Sequence, residues 1–156
     1  MKSKHRLFAL VLSFLMAPGI PALAQDSFAL LTPEETATWV SFSQATRGIS
    51  LIRSDGPKIK VNAPSGFALA SPVTFDIEIL PRDGVAPEIS TLKIEYSLGP
   101  VWTDVTKRIR KHATMSGSRF QAPGAELPAG KHRLRLSIAD AQGRVTAADI
   151  QFTVSN

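Results

Sequence analysis

From Pro57 to Val154 the apolar residues fall at every second position, and that period decides the fold class. Ile59 and Val61 alternate with Lys58 and Lys60. Val73, Phe75, Ile77 and Ile79 alternate with Thr74, Asp76 and Glu78. Leu92, Ile94 and Tyr96 alternate with Lys93 and Glu95. Leu134, Leu136 and Ile138 alternate with Arg133, Arg135 and Ser137, and Ile150, Phe152 and Val154 with Gln151 and Thr153. A strand turns successive side chains to opposite faces, so each run reads as a strand with one buried and one wet face. Turn formers punctuate the runs: Pro64-Ser65-Gly66, Pro81 to Gly84, Gly99-Pro100, Ser116-Gly117, Pro123-Gly124, Pro128 to Gly130 and Asp140 to Gly143. The stretch 101–122 is less regular, with Val105, Ile109, Met115 and Phe120 as inward residues of two or three short strands. No interval suits the helical crossover that a parallel sheet needs. The expectation is therefore an all-β fold, an antiparallel sandwich of about seven strands in two packed sheets.

The residues before Pro57 follow other rules. Lys2, Lys4, His5 and Arg6 precede an apolar run from Leu7 to Ala17, too short to span a bilayer, and Ala22-Leu23-Ala24 supplies the small-x-small pattern of a signal-peptidase site. Residues 1–24 read as a signal peptide cleaved after Ala24, which makes the protein periplasmic or secreted. Residues 25–56 read as a helical N-terminal extension, and 57–156 as the sandwich. In the extension, Thr32-Pro33-Glu34-Glu35 is a helix start: a capping Thr, a Pro where no N–H is needed, and a Glu that closes a capping box. The spacing predicts a short helix to Gln44 or Ala45, carrying Ala37, Trp39, Val40 and Phe42. Its Thr and Ser content leaves it in need of a surface to pack on. Ile49, Leu51 and Ile52 form a short apolar pattern before the turn Ser54 to Pro57.

Charge and composition close off several function classes. Loss of Lys2, Lys4 and Arg6 with the leader leaves 15 basic against 13 acidic residues, a net charge of +2. That balance, in an exported chain, gives no case for a nucleic-acid partner. The chain has no cysteine, so it carries no disulfide, no thiol chemistry, no zinc-thiolate site and no lipoprotein anchor. No second apolar stretch is long enough to cross a membrane after signal removal.

The run Leu127-Pro128-Ala129-Gly130-Lys131-His132-Arg133-Leu134-Arg135-Leu136-Ser137-Ile138-Ala139-Asp140-Ala141-Gln142-Gly143-Arg144 resembles the last hairpin of bacterial immunoglobulin-like domains. In those a Pro-x-Gly turn leads into an alternating strand, an Asp-x-x-Gly turn and the final strand. Pro57 to Val154 is similar in length and strand order. The resemblance implies an immunoglobulin-like β-sandwich. It implies no one function, because such domains serve as spacers, adhesin segments, sugar-binding accessories and enzyme appendages. The chain departs from the antibody pattern in having no Cys pair and no Trp on the third strand, and it holds one copy rather than a tandem array.

Few residues carry chemistry. The exported chain has two histidines, His112 and His132, and no Gly-x-Ser-x-Gly elbow, so no nucleophile with its base is assembled. Asp76, Glu78 and Glu95 are expected on open strand faces, with nothing to raise a carboxyl's pKa. His112, Met115 and His132 are the sole soft or imidazole ligands, a sparse set for copper. Lys107-Arg108-Ile109-Arg110-Lys111-His112 is the densest charge run and is read as a solvated loop or edge strand able to meet an acidic polymer. Lys131, Arg133 and Arg135 share one strand face, with Glu95 and Asp149 expected to neutralise them. Trp102 is placed in a loop after the third strand, where an exposed ring can bind sugar or protein. Trp39 and Phe42 either dock on the sandwich or meet a partner.

The sequence thus points to a non-catalytic binding or interaction module of the bacterial cell envelope, with no enzyme activity, no cofactor and an envelope protein or polysaccharide as partner. The candidate contacts are Trp39, Phe42, Trp102, Lys107, Arg108, Arg110 and Lys111. The alternatives are an envelope polysaccharide-binding domain and a small periplasmic copper carrier.

Overall fold

The computed structural model describes residues 26–39, 48–65 and 68–155; the signal segment 1–24, Val40 and Phe42 lie outside them. The described elements run β1 (Phe28–Ala29), α1 (Pro33–Thr38), β2 (Gly48–Ser54), β3 (Lys58–Ala63), β4 (Leu69–Ala70), β5 (Val73–Leu80), β6 (Pro87–Ser97), β7 (Trp102–Asp104), α2 (Thr106–Lys111), β8 (Thr114–Ser116), β9 (Arg119–Glu126), β10 (Gly130–Asp140) and β11 (Val145–Ser155). Seven strands have six or more residues, and four short ones of two or three residues trim the edges.

The strands form two sheets, and the fold is an all-β sandwich. One sheet has the order β1-β9-β5-β3, with β8 beside β1 on the outer side of β9. The other has the order β2-β11-β10-β6-β7, with β4 beside β2 on β11. Every pairing is antiparallel except β1 with β9 and β4 with β11. The inward residues of the alternating runs meet between the sheets. Phe75, Ile77 and Ile79 of β5 and Phe120 of β9 face Ile94 and Tyr96 of β6, Leu134, Leu136 and Ile138 of β10, and Ile150, Phe152 and Val154 of β11 in one buried cluster. Burial of each such side chain contributes about 2 kcal/mol, so this cluster is the main source of stability.

The expected turn at Pro123-Gly124 is instead an irregularity inside β9, where the register against β5 shifts between Val73 and Phe75. Gly124 has φ 84°, and a Cβ there would sit 2.5 Å from the Asp26 carbonyl oxygen. Only glycine lets the chain of β1 come this close.

The segment before Pro57 is woven into both sheets. β1 pairs with β9, β2 pairs with β11, and Phe28, Leu30 and Leu31 belong to the core. Helix α1 begins as the capping box requires: Thr32 Oγ1 accepts from Glu35 N at 3.2 Å and Glu35 accepts from Thr32 N at 2.9 Å. It ends sooner than expected. Trp39 is already extended, with φ −66° and ψ 129°. The Thr36 and Thr38 hydroxyls donate to carbonyls one turn back, a habit that weakens short helices. The Trp39 ring is held against β10 instead of continuing the helix, and the expected remainder from Val40 to Ala45 lies outside the described residues. No helix among the described residues is long and apolar enough to cross a membrane.

Since Leu30 is fully buried, Leu30→Ala is expected to lower unfolding free energy by about 3 kcal/mol. Ile49→Ala on the half-exposed β2 is expected to cost under about 1 kcal/mol. Urea titration of both variants checks this; equal, small losses would show that the N-terminal segment is not part of the core.

Candidate functional site

The candidate residues divide into those the fold consumes and those it leaves free. The run from Lys107 to His112 is not a loop or edge strand: its first five residues lie in helix α2. Asp104 accepts from the Thr106 N–H at 2.8 Å at the start of the helix, and Ile109 is buried in the core. Arg108 makes a bidentate ion pair with Glu35 of α1, whose Oε1 also accepts from Thr103 Oγ1 at 3.1 Å. The guanidinium holds the Glu35 carboxyl down at about 2. Arg110 donates to the carbonyls of Ile89 and Leu92. Lys107, Arg110 and Lys111 are exposed, but Arg108 is taken up by Glu35 and Arg110 by two carbonyls, so the run's anion-binding capacity is smaller than the sequence suggests.

Trp102 is not in a loop. The turn at Gly99-Pro100, closed by Leu98 N–H to the Val101 carbonyl at 2.8 Å, returns the chain as β7, and Trp102 pairs with Ser97. Its ring lies under the guanidinium of Arg135 at 4.3 Å, with Arg133 at 5.3 Å. Both arginines bind the buried Asp149, with Arg133 Nε and Arg135 Nε each 2.8 Å from a carboxylate oxygen. Asp149 thus takes the neutralising role expected of it for Arg133 and Arg135, whereas Glu95 is ion-paired to Lys93, and cation–π contact covers one face of the indole.

Asp76 faces outward as the alternation requires, yet it is buried rather than open. Arg119 spans its carboxylate, and Asn62 and Gln121 donate to it from the flanking strands. The Arg119 hydrogen bonds hold its carboxyl down at about 2. Glu78 is ion-paired to Lys60 and Glu95 to Lys93.

His132 is fully buried. Trp39 stacks on its ring at 4.9 Å and Phe152 at 5.4 Å. The Pro128 carbonyl can only accept, so Nε2 carries the proton and donates to it at 2.9 Å. Nδ1 then accepts from the Tyr96 hydroxyl at 2.5 Å. Burial pushes the His132 pKa down to about 4, and burial also raises that of Tyr96. Both imidazole nitrogens are occupied, and Trp39 Nε1 has no hydrogen-bond partner. His112 stacks on Phe28 at 4.1 Å, and Met115, expected inward, is exposed on β8. Among the described residues no three of His, Cys, Asp and Glu gather as metal ligands would.

Of the large apolar side chains exposed among the described residues, Val101 and Met115 stand apart and the other three lie together on β2. Every residue of this strand is exposed, with Ile49, Leu51 and Ile52 at 46%, 60% and 53%. Ile49 pairs with Ile150 and Leu51 with Ala148, both buried, so Ile49 and Leu51 lie on the core-facing side of their sheet. They stay wet because the opposite sheet ends at β3, which lies against β11; β2 overhangs it by one strand. The apolar pattern is visible in the sequence, but its exposure depends on where the strand falls in the sheet.

No protein-family model matches this chain, and no curated protein is a significant match. Among solved structures, three chains match. One is an engineered protein solved by crystallography, with a TM-score of 0.42 and 17% identity over 64% of this chain. This chain spans 20% of that protein's length.

The buried imidazole sets a pH dependence. The folded state keeps His132 neutral down to about 4, whereas the unfolded chain takes up a proton near the ordinary value of 6.5. Stability from this group is therefore full above about 6.5, falls as pH drops from there to about 4, and is flat below. Between pH 7 and pH 5 the expected loss is about 2 kcal/mol. Denaturant titrations should show that slope in the wild type and lose most of it in His132→Phe. An unchanged slope in the variant would assign it to another group.

Proposed function

We propose that this chain is an exported, non-catalytic interaction module of the bacterial cell envelope, built on an immunoglobulin-like sandwich, and that its docking surface is the edge strand β2. The observation that carries the reading is the treatment of the sheet edges. Edge strands are templates for further pairing unless they are short, charged or covered. β1 and β8 are two and three residues long, β7 is three, and β3 carries Lys58 and Lys60. β2 has seven residues, three of them large, apolar and exposed. Two sheets of seven longer strands, closed at the end by the Asp140 to Gly143 turn, favour the immunoglobulin-like assignment. An extended polypeptide segment fits β2 through main-chain hydrogen bonds plus contact with Ile49 and Leu51. No described constellation pairs a nucleophile with a base, and the ion-paired carboxylates favour a role without catalysis.

Two measurements test this. Intact mass of the exported chain should correspond to a start at Gln25. A photo-crosslinking residue at position 51 should form a polypeptide adduct in cells, while the same residue at position 60, on the Lys-bearing edge, forms none. Equal yields at the two edges, or no adduct at position 51, would overturn the assignment of β2.

A further inference from the structure

We infer that the partner strand at β2 is the β2 of a second copy, paired antiparallel about a two-fold axis through Ser50. The inference rests on the reading of β2 as the docking edge and names its occupant. Along β2 the core-facing side chains before the irregularity are Ile49 and Leu51, and Ser50 faces the other way, beside Asp149. Directly opposed residues of an antiparallel pair share a face. With Ser50 on the axis, Ile49 lies opposite Leu51 of the second copy, and Leu51 opposite its Ile49. Four apolar side chains then form one patch on the core side of a continuous sheet. The two overhangs meet, so each covers what the other leaves wet.

Other registers lack this match. Centring on Leu51 would set Ile49, on the core side, against Arg53. The β2 register on β11 shifts between Ala147 and Ala148, so Arg53, which pairs with Ala147, points to the outer face. The five residues from Gly48 to Ile52 carry no charge, so the centre of the contact sets no ion against another. Arg53 is satisfied within its own copy by Asp55 at 2.9 Å. An isologous contact of this kind closes on itself as a dimer and leaves no free β2 edge. The contact is small, so dissociation at about micromolar concentration or weaker follows, and the dimer is concentration-dependent.

The absence of cysteine makes the register directly testable. Opposed residues on antiparallel strands have Cα atoms about 4.5–5.5 Å apart, within disulfide reach. Ser50→Cys in the full chain, exported through its leader, is expected to form a covalent dimer at least tenfold faster than Met115→Cys on the exposed β8. Sedimentation of the wild type should show the mass doubling as concentration rises to about 500 µM, and Leu51→Lys should remain at one copy throughout. Equal cross-linking of the two cysteine variants with a wild type of one copy would overturn the self-pairing. In that event a position-51 adduct of another mass would leave the docking role of β2 standing with a different partner, and no position-51 adduct would remove both.

Discussion

The structure depends on one strand having both its edges filled and its inner face buried. β10 pairs with β11 over ten consecutive positions, from Gly130 to Ala139, and with β6 on its other edge. Its alternation sends His132, Leu134, Leu136 and Ile138 into the core. The remaining elements are placed relative to it. β11 carries β2 and β4 outward on one side, and β6 carries β7 on the other. The second sheet packs across these inner residues. Even the N-terminal segment is fixed by this strand, because the Trp39 ring stacks on His132. A histidine serves here because it gives a flat ring for Trp39 and Phe152 while meeting both Tyr96 and the Pro128 carbonyl. A phenylalanine would stack as well but would leave the buried Tyr96 hydroxyl without its acceptor.

The charges of the chain are mostly spent on holding elements together. Glu35 and Arg108 tie α1 to α2 across 73 residues of sequence. Asp76 ties β5 to β9 through Arg119, and Asp149 ties β11 to β10 through two arginines. Asp140 orders the last hairpin turn by accepting from the Gln142 and Arg144 amides and from the Arg144 guanidinium. These carboxylates are buried or nearly so, where a guanidinium fork supplies two aligned donors and an isolated ion would be costly. A basic residue count therefore overstates the basic surface, which is why the Lys107 to Lys111 run looked more like an anion site in sequence than it is in the fold.

Much of the sandwich was legible because its signal is local. The alternation in β5, β10 and β11 marks core residues directly, and the capping box marks the start of α1. The pairing of Arg133 and Arg135 with Asp149 followed from register alone. What could not be read depends on distant partners. The six residues of α2 have a single buried large apolar side chain, Ile109, too few to show a helical period. The return of the chain at Gly99-Pro100 that makes Trp102 part of a strand has a local signal, a two-residue turn between Leu98 and Val101, but nothing local marks the three residues after it as a strand. The burial of Asp76 needs Asn62, Arg119 and Gln121, which come from strands far along the chain.

The same reasoning separates β2 from every other strand. The facing sheet does not reach β2, so the apolar residues on the core side of this strand stay exposed although it pairs with β11 from Gly48 to Ser54. Shortening β2 or giving it a lysine would remove the exposed apolar area at little cost to the core, since none of its residues is buried. The other edges carry such features. An edge that keeps Ile49, Leu51 and Ile52 exposed gains little for the isolated fold from them; in the pairing we propose, those side chains stabilise a state in which another strand lies alongside. In that state the sheet built on β10 continues past β2 instead of stopping there, and the overhang that is a defect in one copy becomes the inner layer of the contact.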